Sequence, residues 1–356
     1  YIIIMTKYYT RACNFYYGEL SKKLVKNKKT LPLCGDKEIS FDKIEIFSKN
    51  KKKVSFKTID VKKINFLPKL IKIKITKDIK KITSKKKFLS KKKHILMGIL
   101  NVTPDSFSDG GKYSTSKKAF KRIEEMINSG ADIIDIGGES TRPGSKIISP
   151  KKEWQRAGNI IKKFKRKFPK TILSIDTRKS LVIENAIKYK ADIINDVSCF
   201  KFDAMFYRKI KNKNLWKVIH HMQGTPQTMQ KNPKYHHVLL DIYDFFEKEI
   251  DKIKKDKYSN KIILDPGIGF GKNLKHNLMI LNKISIFHSL GFPILIGTSR
   301  KKFINQISKN YDSAERLGGS LSSVLFALSQ GVQIFRIHNV KEIKQGILVF
   351  EALLNK

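Results

Sequence analysis

The residues that can do chemistry in this sequence sit where short apolar runs end. Asn101 closes one run, Gly137-Gly138-Glu139 the next, and Asp176 and Asn195-Asp196 the two after that. His220-His221, Asp265, the stretch Gly297-Thr298-Ser299-Arg300-Lys301, and His338 with Arg336 just inside complete the series. Asp176, Asn195 and Asp265 offer two carboxylates and an amide, a set suited to a planar heterocycle with adjacent N–H donors. Arg142, Arg300, Lys301, Arg336 and His338 supply cationic and donor groups that suit a phosphate or diphosphate. Taken singly, an Asp after a strand is as often a helix N-cap as a catalytic group, and an arginine is often plain surface. The recurrence of polar ends on every run is what favours one shared pocket.

Three loops look mechanistic. The segment from Asn101 through Asp105, Asp109 and Gly110-Gly111 is rich in turn residues, as a mobile lid is. Glu139-Ser140-Thr141-Arg142-Pro143-Gly144 places a hydroxyl and an arginine before a turn. Asp265-Pro266-Gly267-Ile268-Gly269-Phe270-Gly271 has the glycines of a phosphate loop, but its spacing fits neither a Walker A nor a Rossmann fingerprint, so nucleotide binding is rejected. His220, His221, His236 and His237 do not make a zinc site, because adjacent residues on a strand point to opposite faces and no HExxH occurs. One histidine of the first pair is expected to face the pocket and the other to be packed. Magnesium fits better, held by an oxygen ligand such as Asn101 together with substrate phosphates.

The apolar runs that must position these groups are residues 95–100, 132–136, 172–175, 192–194, 216–219, 262–264, 294–296 and 333–337. Helical patterns lie between them, for instance 116–129, 153–168, 179–189 and 314–329, with a last one from Lys341. Eight strand–helix units over residues 94–356 match an α/β protein of the (β/α)8 TIM-barrel class, in which function gathers at the C-terminal ends of the strands. A doubly wound open sheet is the structural alternative.

Residues 1–93 carry 28 basic and 7 acidic residues, about half of the net charge of +43. Within them, 39–54 and 61–82 alternate apolar with polar or lysine positions, which predicts exposed strands in a small β-rich N-terminal extension of unknown role. A lysine-rich linker at 84–93 follows. The charge invites a nucleic-acid reading, but the excess is mostly lysine spread along the chain, with no recognised nucleic-acid motif, and a codon bias toward lysine explains it better. No run approaches a membrane span, no export signal is visible, and three scattered cysteines suit a reducing compartment, so a cytoplasmic protein is expected.

At this point the motifs resemble a known family. Residues 99–111 with 137–144 look like the two signature segments of dihydropteroate synthases, and Asp176-Thr177, Asn195-Asp196, residues 265–270, Ser299-Arg300-Lys301 and Arg336-Ile337-His338 follow in the family's order. The resemblance covers essentially all of residues 94–356. It implies a transferase of folate biosynthesis that joins 6-hydroxymethyl-7,8-dihydropterin diphosphate to para-aminobenzoate and releases pyrophosphate. By that similarity Asp176, Asn195, Asp265 and Lys301 hold the pterin, with Arg336 against the ring and Met222 in the pocket wall. Asn101, Thr141, Arg142, Arg336 and His338 surround the diphosphate and its Mg²⁺. Phe107, Pro143, Phe270 and the residue after Lys301 shape the para-aminobenzoate site, where sulfonamides compete. Asp265 and Lys301 are the implied catalytic groups, with Asp109 the loop carboxylate of a closed state, and a homodimer formed through helices near the C-terminal end is expected. Two positions depart from the pattern: Asn339 stands where Asp usually follows the histidine, putting the orientation of His338 in question, and Lys302 stands where a small hydroxyl residue is common. The rival readings are a pterin-binding methyltransferase domain, disfavoured by the Thr141–Gly144 loop and the Arg336/His338 pair, and a non-catalytic paralogue.

Overall fold

The computed structural model describes residues 6–50, 53–86, 88, 90, 92–103, 112–141, 144–309 and 312–354, with residues 112–115 described for the backbone alone. The N-terminal part opens with β1 (Lys7–Tyr17), α1 (Gly18–Lys26), β2 (Leu31–Leu33), β3 (Asp36–Lys49) and β4 (Val54–Asp60). The long β3 pairs antiparallel with β1 along one edge and with β2 and β4 along the other. A 3-10 turn at Val61–Phe66 and helix α2 (Lys69–Thr83) follow. The strand expected over 61–82 is therefore wrong. The alternation Ile71-Lys72-Ile73-Lys74-Ile75 is local, whereas Ile71, Ile75, Ile79 and Ile82 recur at three- and four-residue steps and lay one helical face on the small sheet's core.

This sheet docks on the flank of the barrel. Tyr9 meets Tyr243 edge to face at 5.1 Å and donates its hydroxyl to Asp244 at 2.9 Å. Lys7 and Lys49 pair with the same carboxylate at 2.6 and 2.9 Å, and Ser285 donates to the Ala12 carbonyl. Some of the lysine excess thus ties the two parts together.

The barrel strands are β5 (Ile95–Asn101), β6 (Ile133–Gly137), β7 (Ile172–Asp176), β8 (Ile193–Asp196), β9 (Trp216–His220), β10 (Ile262–Asp265), β11 (Leu295–Ile296) and β12 (Ile334–Ile337). All pair in parallel with their sequence neighbours, β12 pairs with β5, and a bridge from Leu264 to Ile294 closes the ring between β10 and β11. The helices are α3 (Lys112–Asn128), α4 (Pro150–Lys167), α5 (Ser180–Lys188), α6 (Phe206–Ile210), α7 (Val238–Ile253), α8 (Leu274–Asn282), α9 (Lys302–Ser308), α10 (Leu317–Leu328) and α11 (Val340–Leu354). Their starts are written locally: at α4, Ser149 caps the Lys152 N–H and Pro150 opens the first turn. Among the described residues no helix is long and apolar enough to cross a membrane.

Period-two alternation sorts each barrel strand into an outer and an inner set. The outward set, such as Ile134, Ile136, Leu173, Ile175 and Phe335, joins the helices in one large core. The inward residues Ile95, Met97, Ile133, Ile193, Trp216, Val218, Ile263, Leu295 and Ile334 fill the lower barrel. Phe88 packs at 4.8 Å from Trp216 and joins that inner cluster, so the stretch expected to be a mere linker also supplies a plug for the barrel's lower end. Two residues further up each strand, the same inward parity reaches Asp135, Ser174, Asn195, His220, Asp265 and Arg336.

Candidate active site

The floor of the upper barrel is a hydrogen-bonded group of largely buried polar residues. Asp135, fully buried, accepts from Ser174 Oγ at 2.6 Å through Oδ1. Its Oδ2 accepts from Arg336 Nε at 2.7 Å and Asn195 Nδ2 at 3.1 Å. The other end of the guanidinium donates from Nη2 to Asp176 Oδ2 at 2.8 Å. Arg336 is thus fixed between two carboxylates, which raise its already high pKa against the effect of burial. Asp135 was not anticipated from the sequence. Its signal was an aspartate at inward parity inside the run Ile-Ile-Asp-Ile-Gly, where apolar neighbours on both sides argue against a helix cap.

Asn195 leaves its Oδ1 buried and without a hydrogen-bond partner among the described residues. A buried acceptor left unmet is costly, and one that opens on a pocket marks where a ligand donor belongs. Asp265 lies in the same layer. Its Oδ1 accepts the Gly267 N–H at 2.8 Å and its Oδ2 lies 3.9 Å from His220 Nε2. That pair is no salt bridge, because burial and nearby cations hold His220 neutral, and its Nδ1 faces the Val197 carbonyl at 3.2 Å. With Nδ1 protonated, Nε2 and Asp265 are both acceptors and a ligand N–H can come between them. Burial raises the Asp265 carboxyl to about 6 and the Asp176 carboxyl to about 7.

The loop after β10 explains its own glycines. Gly267, Gly269 and Gly271 all have positive φ, and a Cβ on Gly267 would stand 2.0 Å from the His221 carbonyl oxygen. Gly267 and Gly271 permit close packing on the loop after β9, and Gly269 leaves room for the Lys301 side chain, reasons unrelated to phosphate. The loop brings Phe270 edge to face with His220 at 4.6 Å and under the Lys301 ammonium at 4.0 Å. Burial lowers Lys301 to about 8, with Arg336 adding repulsion and Asp265 and Asp176 opposing it. A second buried lysine, Lys272, locks the loop by donating to the Phe270 carbonyl at 2.9 Å and to His221 Nδ1 at 3.0 Å. Burial lowers it to about 7, and nothing in the sequence separated it from the many surface lysines. His221 points away from the pocket, against Phe245 and Tyr235.

At the end of β11, Arg300 takes a positive φ of 60° and is held by bonds from its N–H to Ser320 and from Arg316 to its carbonyl. This turn delivers Lys301 to the N-terminus of α9, and Lys302, the next residue, is exposed. His338 Nδ1 lies 3.0 Å from Ser299 Oγ. Asn339 accepts from Arg300 Nη2 at 3.0 Å, a bond assisted by the guanidinium charge, so its amide oxygen holds the arginine of the neighbouring turn. Asn101 and Thr141 stand half-buried at and just beyond the ends of β5 and β6, and Met222 is half-buried after β9. Phe107, Asp109, Arg142 and Pro143 lie outside the described residues. Among those described, no cluster of three or more His, Cys, Asp or Glu can hold a metal.

The upper inner part of the barrel thus combines three carboxylates, an amide oxygen unmet among the described residues, a lysine and a doubly paired arginine, acceptors and cations that suit a polar, donor-rich ring. The chain belongs to the pterin-binding enzyme family, whose model, described as "Pterin binding enzyme", matches residues 97–338. It is 42% identical over 261 residues to the dihydropteroate synthase of Escherichia coli strain K12, covering 73% of this chain and 92% of that one. The dihydropteroate synthase of Bacillus subtilis is 40% identical over 267 residues, covering 75% and 90%. The solved Yersinia pestis dihydropteroate synthase, crystallised as a sulfonamide drug complex, superposes with a TM-score of 0.69 at 38% identity, covering 74% of this chain and 95% of its own. The Xanthomonas albilineans enzyme with 4-aminobenzoic acid gives 0.68 at 31% identity, with 73% and 93% covered.

Proposed function

We infer that the chain is a dihydropteroate synthase, a transferase that condenses 6-hydroxymethyl-7,8-dihydropterin diphosphate with para-aminobenzoate. The observation that carries the site assignment is the unmet acceptor of Asn195 beside the acceptors of Asp265 and His220. An aminopyrimidinone edge presents adjacent N–H donors, and this row of oxygens and nitrogen accepts them. Asp176 completes the row, Arg336 lies against the ring, and Lys301 faces the ring's acceptor side, with Phe270 and Met222 as apolar wall.

In the reaction the bond between the exocyclic methylene carbon and the diphosphate oxygen breaks, and its electron pair leaves with the diphosphate. The aniline nitrogen of para-aminobenzoate bonds to that carbon and gives up a proton. The electron-rich pterin spreads the positive charge that develops, and Asp265 and Asp176 stabilise it from a dry, low-dielectric site. Thr141, Arg142 and His338 supply donors for the leaving group, and the loops carrying Phe107, Asp109 and Pro143 shape the para-aminobenzoate end and exclude water. Asn101 offers one neutral oxygen, and among the described residues no carboxylate cluster stands with it, a donor set that fits Mg²⁺ brought with the diphosphate. When bound, the ion neutralises charge on the leaving group.

Lys302 at the mouth would meet the carboxylate of para-aminobenzoate by charge, and sulfonamides would compete there. Phe326, Leu348, Val349 and Leu353 expose apolar surface on α10 and α11, the face on which a homodimer would form. Three unpaired cysteines agree with a cytoplasmic setting. Titration of pterin fluorescence against Asn195→Leu tests the site assignment. The expected result is at least about a tenfold loss of affinity, because two buried donor–acceptor contacts vanish; unchanged affinity places the pterin elsewhere.

A further inference from the structure

Four ionisable residues outside the pterin pocket are buried together with no role in the steps above: Glu139, Glu153, Arg178 and Lys179, each 6% exposed or less. Lys179 Nζ donates to Glu139 Oε1 at 2.8 Å and to Glu153 Oε2 at 2.7 Å. Arg178 Nε donates to Glu139 Oε2 at 2.8 Å, and its guanidinium covers the Phe202 ring at 4.0 Å. Glu139 Oε1 also accepts the backbone N–H of Ile148 at 3.2 Å. Burying four charges is expensive, and apolar residues of the same volume would often be at least as stable, so retaining them calls for a geometric reason.

The geometry supplies one. Glu139 opens the loop after β6 and Ile148 closes it, so one carboxylate holds both ends of the segment that carries Thr141. Lys179 and Arg178 come from the stretch after β7, directly beyond Asp176, and bolt that carboxylate to the neighbouring strand end. Two lighter ties act further along the loop: Ser145 Oγ donates to the Ser140 carbonyl at 2.6 Å, and Gln227 Nε2 donates to the Ser145 carbonyl at 3.1 Å. Arg156 adds a bond to the Gly138 carbonyl at 3.1 Å.

We propose that Glu139 is a positioning residue for the transfer reaction: clamped by Lys179 and Arg178, it ties the strand end that carries Thr141 to Ile148, so that Thr141 meets the diphosphate and the para-aminobenzoate end, while taking no part in holding the pterin ring. The proposal rests on the dihydropteroate synthase reading. It separates two parts of the site, since the ring meets side chains from β7 to β10, β12 and the turn after β11, with Asp135 beneath them, and the loop hangs from the end of β6 beyond Asp135.

The test compares wild type, Glu139→Gln and Gln227→Ala, each as full chain, for pterin affinity and for kcat and KM toward each substrate. Glu139→Gln is expected to bind 6-hydroxymethyl-7,8-dihydropterin within about twofold of wild type. It should lose roughly 10- to 100-fold in kcat/KM for para-aminobenzoate, the scale of an ångström-sized misplacement. Gln227→Ala, which touches no buried charge, should move the same way by roughly two- to fivefold. Unchanged kcat/KM in Glu139→Gln overturns the proposal, and so does a parallel loss of pterin affinity and turnover, which would mark a folding role. Where Glu139→Gln does not fold, Gln227→Ala decides, and wild-type kinetics in it count against the clamp. Wild-type protein that forms no dihydropteroate refutes the functional reading itself, a result distinct from any of these.

Discussion

Asp135 should reveal how the floor of the site is built, because its two obvious replacements differ in what they remove. In Asp135→Asn the amide oxygen can take the place of Oδ2 and keep the bonds from Arg336 and Asn195, while the amide N–H2 donates to Ser174, whose hydroxyl turns to accept. All three contacts survive and only the charge is lost. Arg336 keeps Asp176 as its second partner. The cost is then the difference between a charge-assisted and a neutral hydrogen bond, about 1 to 1.5 kcal/mol, or about tenfold in pterin affinity. Asp135→Ala instead leaves three donors unmet, one of them charged, for about 3 to 5 kcal/mol. A second effect carries a sign. Burial is the main cause of the raised Asp176 carboxyl, and the Asp135 charge adds to it. Removing that charge eases ionisation of Asp176, so the acidic limb of pterin binding should move to lower pH in Asp135→Asn. Fluorescence titration of the pterin across pH reads both quantities. Equal damage from Asn and Ala, or an acidic limb that stays or rises, would refute the reasoning.

Pterin affinity in the wild type should itself be bell-shaped. Asp265 is raised by burial to about 6 and accepts ring donors most strongly, and through either oxygen, when ionised, and Lys301 is lowered to about 8 and is mostly charged below that value. Affinity is therefore lost as pH falls from about 7 through about 6, where Asp176 and then Asp265 take up protons, and as it rises through about 8; a flat profile over that window contradicts these assignments. Gly267→Ala combines a φ of +66° with a Cβ 2.0 Å from a carbonyl oxygen and should cost about 3 kcal/mol or more, seen as a lowered melting temperature, whereas an unshifted melt refutes the packing argument. Phe88→Ala opens the lower barrel beside Trp216 and should cost about 1 to 2 kcal/mol with pterin affinity retained. Loss of affinity without loss of stability would mean that the barrel transmits the change upward.

Much of the barrel was legible because its strands are short, apolar and each closed by a polar residue, so that position and function coincide in the sequence. Asp176, Asn195, Asp265 and Lys301 could be named on that ground. What was hidden depended on contacts between distant residues. Asp135 matters through Arg336, 201 positions away, and Lys272 differs from its neighbours only in being buried. Glu139 was visible as the end of a run, but its clamp needs Lys179, Glu153 and Ile148. The N-terminal region was misread where lysine alternates with isoleucine. In a chain this rich in both, a few alternating residues occur by composition, and only the longer recurrence from Ile71 to Ile82 distinguishes a helix from a strand. Asn339 was judged by the residue it replaces, while the fold gives it a different partner.

The most direct test of the account is pyrophosphate release and dihydropteroate formation from 6-hydroxymethyl-7,8-dihydropterin diphosphate, para-aminobenzoate and Mg²⁺, in wild type and Lys301→Ala. The account predicts product from wild type in equal amount to pyrophosphate, dependent on para-aminobenzoate and lowered at least about a hundredfold in the variant. Wild-type protein that binds the pterin yet forms no dihydropteroate, or a Lys301→Ala variant that turns over at the wild-type rate, would contradict it.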